Sequence, residues 1–170
     1  MAQIYVSIGS NIHRHRYITA ALDALADRFG ELQISPIYES EAVGFDGENF
    51  YNLVAGFSTG LSVASLVSVC RAIEDANGRL RTGPKFSART LDIDILTVDD
   101  AVGEVDGVVL PRAEILSNAF VLQPLFDIAP EVAHPADGRS YRQLWQAYNS
   151  EQKLWAIDFE WRGQLISKAA

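Results

Sequence analysis

The residues with the clearest chemical potential lie in the stretch Arg89-Thr90-Leu91-Asp92-Ile93-Asp94-Ile95-Leu96. Because successive side chains of a strand point to opposite faces, Asp92 and Asp94 should project from one face while their aliphatic neighbours enter the core. Two carboxylates spaced in this way lie roughly 7 Å apart and can share one divalent cation or hold one each of a close pair. Oxygen ligands of this kind suit Mg²⁺, which usually completes its coordination with water and phosphate oxygens.

A cluster of basic side chains precedes these two carboxylates. Residues 71 to 89 include five basic residues and two acidic ones, which gives this stretch a net charge of +3. The basic residues are Arg71, Arg79, Arg81, Lys85 and Arg89, and the acidic ones are Glu74 and Asp75. Magnesium-binding carboxylates beside guanidinium groups suit phosphoryl transfer, because the metal bridges the phosphates and the arginines neutralise developing charge. A nucleotide is therefore the expected ligand. For either feature alone, a solvated acidic strand or a solvated basic loop stays the alternative.

The glycine-rich nucleotide-binding motifs do not explain this pattern. Gly78 and Gly83 have the spacing of a P-loop, but Pro84 occupies the position of its lysine and a strand is predicted to follow. The sequence also lacks a Gly-x-Gly-x-x-Gly fingerprint.

The composition of the 170-residue chain narrows the class of protein. Apolar residues make up 48% and charged residues 21%, which predicts a folded domain with a real core. A net charge of -8 disfavours nucleic acid and anionic membranes as partners. There is no apolar run of about 20 residues, the start of the chain has no secretory pattern, and the single cysteine allows no internal disulfide. We expect a cytoplasmic protein that acts on small molecules, with a monomer favoured.

The spacing of apolar and turn residues predicts the order β-α-β-β-α-β, with helical pieces after it. The expected segments are a strand ending at Ser10, a helix stopping at Gly30, strands over 32–38 and 51–59, a helix from Ser62 to about Gly78 and a strand over 90–98. This order is typical of an α+β, ferredoxin-like fold, a mostly antiparallel sheet with helices packed on it. We expect one domain over residues 1–150, with 151–170 as an extension packed on it.

Two loops and several later elements complete this prediction. Residues 39–50 and 79–88 form loops of the length that often carries function. Residues 99–106 are predicted to be turn-like, 108–110 a short strand and 141–148 a helix. Within 119–128, Pro124 should mark the first turn of a helix or a break before one.

The motifs taken together resemble those of the 6-hydroxymethyl-7,8-dihydropterin pyrophosphokinases of folate biosynthesis. The family signature, an arginine, two residues, Asp-x-Asp and two aliphatics, is reproduced from Arg89 to Leu96. The resemblance covers roughly residues 3–150 and includes Gly9-Ser10-Asn11, Asn52, Glu74, Gly78-Arg79-x-Arg81 and the stretch from Pro124 to Glu131.

The resemblance implies transfer of pyrophosphate from ATP to the pterin hydroxymethyl group with release of AMP. Asp92 and Asp94 would hold two Mg²⁺ ions, and the loops would close over the nucleotide. The implied ATP-binding and catalytic residues are Arg79, Arg81 and Arg89 at the phosphates, Glu74 and Ile95 at the adenosine, and Arg112 as a further cation. The implied pterin-binding residues are Ser40, Val43, Phe50, Asn52 and Phe120, with Asn52 bonding the ring edge and the two phenylalanines enclosing the ring.

Five positions depart from the family pattern, and one of them is Glu41, where a proline is common. Ser87-Ala88 replaces Gly-Pro before the signature arginine, Arg112 replaces a histidine, and Asn118 replaces an arginine. A guanidinium keeps positive charge at residue 112 but has a different reach from imidazole. These departures leave one alternative open: a relative that binds nucleotide or pterin as a regulatory module without efficient transfer.

Overall fold

The computed structural model describes residues 1–41, 48–78, 90–149 and 151–170. In chain order its elements are β1 (Ala2–Ser10), α1 (Arg14–Phe29), β2 (Gln33–Ile34), β3 (Tyr38–Ser40), β4 (Phe50–Thr59), α2 (Val63–Ala76), β5 (Asp92–Val98), β6 (Gly103–Val105), β7 (Val108–Leu110), α3 (Glu114–Ser117), α4 (Ala119–Ile128), α5 (Tyr141–Ala147), β8 (Leu154–Ala156), β9 (Phe159–Trp161) and β10 (Gln164–Ser167).

The main sheet has the strand order β5-β1-β4-β3-β8, and β2 also pairs with β4. The pairings of this sheet are antiparallel. The first, third and fourth core strands are β1, β4 and β5, so the order is that of the predicted ferredoxin-like βαββαβ fold. The predicted α+β class is confirmed.

The predicted strand over 32–38 is interrupted at Pro36. Ile34 pairs with Ala55 and Tyr38 pairs with Asn52, so four steps along this segment match three steps along β4. Proline has no N–H for the ladder, and the extra residue makes a bulge that separates β2 from β3.

Helices cover both faces of the sheet. One core packs α1 and α2 against the sheet through residues such as Ile18, Leu22, Leu66 and Ile93. The other core packs the sheet against α3, α4 and α5 through Val54, Leu96, Ile115, Leu122, Leu125 and Tyr141. The second core lies on the face to which Asp92 and Asp94 point.

Several local predictions can be compared directly with the structure. Ser62 caps α2 by accepting the Ser65 N–H at 3.2 Å, and Gly30 ends α1 with a φ of 82°. The turn-like prediction for 99–106 is wrong in part, because Gly103–Val105 pairs with β7. Pro124 lies inside α4 and neither starts nor precedes it; burial of the helix against the second core outweighs the hydrogen bond that an interior proline forfeits.

The chain after residue 150 runs along the opposite edge of the sheet. β8 pairs with β3, and the hairpin of β9 and β10 lies against α1, where Trp161 and Arg162 bond to Asp23. Within the described residues no helix is long and apolar enough to cross a membrane.

Gly56 provides a test of how tightly the central strands pack. A Cβ at Gly56 would lie 2.6 Å from Gln33 Oε1 and 2.8 Å from the ring of Tyr5, which is only 7% exposed. Since the buried ring cannot move aside, we expect Gly56→Ala to lower the free energy of unfolding by about 1–3 kcal/mol in urea denaturation.

The matched control is Gly60→Ala. A Cβ there would have Met1 Sδ at 3.8 Å as its neighbour, so the change should be within about 0.5 kcal/mol. Equal stability of the two variants would contradict this account of the packing.

Candidate active site

Asp92 begins a row of paired residues that crosses four strands. Asp92 lies opposite Gly9, Gly9 opposite Asn52, and Asn52 opposite Tyr38. Paired residues in antiparallel strands point to the same face, and the Tyr38 hydroxyl donates a hydrogen bond to Asp127 of α4. The row therefore faces the side of the sheet that α4 covers.

Asp94 lies on the same face, one row further along. It pairs with Ser7, which pairs with Val54 of the second core. Leu91, Ile93 and Ile95 are buried, so the alternation expected from the sequence is confirmed.

A cavity of about 210 Å³ opens at the outer edge of β5. It brings together five of the residues predicted for metal and ATP binding: Glu74, Asp92, Asp94, Ile95 and Arg112. Cys70, Val67, Arg71, Ile93 and Val108 complete its lining. Carboxylates therefore lie at this cavity beside two guanidinium groups and an apolar wall.

Asp94 and Arg112 form the electrostatic centre of the cavity. The guanidinium of Arg112 lies 3.6 Å from Asp94 Oδ1 and 3.1 Å from Glu114 Oε2. Burial, followed by the charge of Asp92, raises the pKa of Asp94 to about 6, although Arg112 acts in the opposite direction. The acidic charges around Asp94 therefore exceed what Arg112 compensates, which favours binding of a further cation.

Glu74 has a role that the sequence analysis does not predict. Its side chain is buried, and its Oε2 accepts the backbone N–H of Ile93 at 2.8 Å. Ile93 lies between the two aspartates, so this bond fixes the strand that carries them. The signal in the sequence is the spacing of Leu66, Cys70 and Glu74, which places a carboxylate on the buried stripe of α2.

Asn52, Ser40 and Phe50 form a second group on the same face of the sheet, on β4 and β3. Asn52 Nδ2 donates to Ser40 Oγ at 3.0 Å, and Ser40 pairs with Phe50 in the ladder. Gly9 allows Asn52 to lie close, because a Cβ at Gly9 would be 3.0 Å from Asn52 Oδ1. An amide held in this way can donate and accept hydrogen bonds along the edge of a heteroaromatic ring.

Phe120 lies in the first turn of α4, the helix that packs across β3 and β4. Its ring is half-buried against the second core. The structure thus places Phe50 and Phe120 on the same side of the sheet, one on the sheet and one on the covering helix. Asn118 is the N-cap of this helix and makes no capping bond with its side chain.

Some of the predicted site residues lie outside the described part of the chain. They are Val43, Arg79, Arg81 and Arg89, together with the departures Ser87 and Ala88. Their roles stay predictions. Cys70 is buried as expected, and burial raises the pKa of its thiol, which disfavours the reactive thiolate.

The comparison with known families decides the assignment. The family model described as 7,8-dihydro-6-hydroxymethylpterin-pyrophosphokinase (HPPK) matches residues 5–130. The chain belongs to the HPPK family. The matched range includes both aspartates, the cavity and the group around Asn52.

Two curated bacterial relatives match over most of their length. A 2-amino-4-hydroxy-6-hydroxymethyldihydropteridine pyrophosphokinase of Pseudomonas aeruginosa is 37% identical over 147 residues, which covers 84% of this chain and 89% of the relative. A protein of the same name from Aquifex aeolicus is 33% identical over 156 residues, covering 91% and 94%.

Solved structures share the fold. An HPPK-DHPS structure from Plasmodium falciparum superposes with a TM-score of 0.70 at 16% identity. The match covers 96% of this chain and 46% of that one, so the chain spans less than half of the length of this structural neighbour.

The raised pKa of Asp94 predicts an unusual effect of Asp94→Asn. Because the folded state binds this proton more tightly than the unfolded state, the stability of the wild type should fall as pH rises from about 4 to about 6. Asparagine removes this dependence. In thermal melts without ligand we expect Asp94→Asn to raise the Tm at pH 7.5 by about 2–4 °C and to leave it nearly unchanged at pH 4.

Asp100→Asn is the control, since Asp100 is exposed in the turn after β5. It should not reproduce the difference between the two pH values. A Tm of Asp94→Asn below that of the wild type at pH 7.5 would contradict this prediction. It would show that the ion pair with Arg112 stabilises the fold by more than burial and the neighbouring carboxylates destabilise it.

Proposed function

We propose that the protein transfers pyrophosphate from ATP to 6-hydroxymethyl-7,8-dihydropterin in folate biosynthesis. The oxygen of the pterin hydroxymethyl group attacks the β-phosphorus of ATP, the bond from that phosphorus to the oxygen of the α-phosphate breaks, and AMP leaves. The hydroxyl proton is lost to solvent. One observation carries the proposal: Asp92 and Asp94 lie between the cavity at the edge of β5 and the group around Asn52, on a single face of the sheet.

Asp92 and Asp94 are the residues that would hold Mg²⁺. Within the described ranges no group of three or more histidine, cysteine or acidic side chains could hold a metal ion. Two carboxylates fit Mg²⁺ when phosphate and water supply the other ligands, as is usual for nucleotide-bound magnesium. We propose two ions, which would supply positive charge that offsets the charge of the phosphates.

The cavity at β5 would bind ATP. Ile95 supplies an apolar surface for the adenosine, while Glu74 shapes the wall by holding Ile93 in place. Arg112 lies close enough to Asp94 to meet a phosphate bound there. In our proposal Arg79, Arg81 and Arg89 add further positive charge at the triphosphate.

The group around Asn52 would bind the pterin. Asn52 would form hydrogen bonds with the edge of the ring, and Ser40 orients the Asn52 amide. Phe50 and Phe120 would supply aromatic faces for the flat ring. Val43 would add a backbone contact. Catalysis then depends on placing the hydroxyl in line with the β-phosphorus and on stabilising the phosphate charge.

The net charge of -8 and the single cysteine are the support for the wider setting. We propose small-molecule substrates only, with no nucleic-acid or membrane partner, and a cytoplasmic location.

The decisive measurement is release of AMP from MgATP with and without 6-hydroxymethyl-7,8-dihydropterin. We expect release that requires the pterin. Asp92→Ala and Asp94→Ala should each lower kcat at least about 100-fold, because removing a charge-stabilising group from a transition state has effects of this size.

Asp100→Ala is the matched control and should keep wild-type turnover. Calorimetric binding of both substrates without any AMP would refute the transfer reaction and select the binding-module alternative. Normal turnover of both aspartate variants would refute the metal assignment.

Gly9→Ala tests the pterin group separately. The added methyl requires Asn52 to move by a few tenths of an ångström, since its Oδ1 would be 3.0 Å from the new Cβ. We expect the KM for the pterin to rise about 3–10-fold, since catalysis is sensitive to small misplacement, while the KM for ATP stays unchanged. Steady-state kinetics with each substrate varied in turn check this, with Gly60→Ala as the control; an equal rise in both KM values would contradict it.

A further inference from the structure

The start of α4 is stabilised from outside the helix. The first four N–H groups of a helix have no partner within it, and a polar side chain at the N-cap usually accepts one of them. Asn118 occupies the N-cap here, but its side chain makes no such bond. The side chain of Gln152 supplies an acceptor instead: its Oε1 accepts a hydrogen bond from the backbone N–H of Ala119 at 2.6 Å.

Tyr148 adds a second bond at the same point. Its hydroxyl donates to the backbone oxygen of Ser117 at 2.8 Å and lies 3.3 Å from Gln152 Oε1. The two side chains thereby fix the joint between α3 and α4, residues 117–119. Both lie beyond residue 130, where the match to the HPPK family model ends.

Phe120 follows this joint directly, so its ring depends on the geometry of the first turn of α4. Within the helix, the backbone carbonyl of Asn118 accepts the N–H groups of Val121 at 3.1 Å and Leu122 at 3.0 Å. Pro124 lacks the N–H that would bond to the Phe120 carbonyl. The external bond at Ala119 therefore contributes more to this turn than it would in an uninterrupted helix.

The segment after Gln152 also contacts the opposite side of the proposed pterin site. Two residues later, Leu154 pairs with Ser40 in the ladder between β8 and β3. The Ser40 hydroxyl oxygen accepts a hydrogen bond from the side-chain amide of Asn52. Tyr148 and Gln152 thus contact the turn that carries Phe120, and Leu154 contacts the strand that orients Asn52.

We propose that Gln152 is a positioning residue for pterin binding, acting through Phe120. This inference rests on the proposed function. Gln152 holds the first turn of α4 so that the ring of Phe120 is in place before the pterin arrives. Loss of its bond lowers the fraction of molecules in which the first turn is ordered. The apparent affinity for the pterin falls in proportion to that fraction.

The test compares Gln152→Ala with Gln152→Glu in the 170-residue chain. The probes are MgATP with a methylene group between its α- and β-phosphates, which blocks the bond cleavage, and 6-hydroxymethyl-7,8-dihydropterin. Calorimetry should give a two- to fivefold higher Kd for the pterin with Gln152→Ala, as the loss of one capping bond implies, and an unchanged Kd for the nucleotide. Gln152→Glu keeps the acceptor and places negative charge at a helix N-terminus, so its Kd for the pterin should match the wild type.

Gln146→Ala on the exposed side of α5 is the control and should leave both Kd values unchanged. Hydrogen exchange supplies a readout that needs no ligand: the amide of Ala119 should exchange faster in Gln152→Ala only. An unchanged pterin Kd for Gln152→Ala, or an equal loss of its affinity for the nucleotide, would overturn the inference. The proposed function would still stand in that case if the wild type releases AMP. A wild type that makes no AMP would overturn the proposed function and this inference with it.

Discussion

The bond between the buried carboxylate of Glu74 and the backbone N–H of Ile93 is the interaction on which the rest of the site depends. β5 is an edge strand, and an edge strand keeps backbone groups that the sheet does not pair. A carboxylate is a strong acceptor for such an N–H, and its removal would leave a buried donor unsatisfied. The same bond fixes the residue between Asp92 and Asp94, so it sets the direction of both side chains.

Stability and chemistry compete at this point of the fold. Burial and neighbouring carboxylates disfavour the charged form of Asp94 and raise its pKa, and Arg112 compensates only in part. A protein selected for stability alone would have a neutral side chain here. The repulsion between Asp94 and its neighbouring carboxylates is unfavourable in the free protein, but the same negative charge attracts a bound cation. Such an arrangement is typical of sites that bind metal and phosphate.

The sequence predicts the parts of this structure that depend on local patterns. Alternation places Asp92 and Asp94 on one face, and Ser62 caps α2 as its residue type predicts. Contacts between distant segments carry no such pattern: Glu74 binds a backbone group 19 residues away, and Gln152 binds one 33 residues away. Pro124 misled the prediction because burial of α4 outweighs the local preference of proline. The roles of Val43, Arg79, Arg81 and Arg89 rest on the family resemblance.

The two rims of the main sheet have a consequence for how the chain behaves in concentrated solution. On one rim Glu74 occupies an N–H of β5, and on the other the outermost strand, β8, has only three residues before the chain turns into the β9–β10 hairpin. Aggregation through strand addition needs a long row of open backbone groups. Within the described residues, the Glu74 carboxylate interrupts the open row along β5 and β8 is too short to offer a long one, so the architecture resists intermolecular sheet growth at both rims.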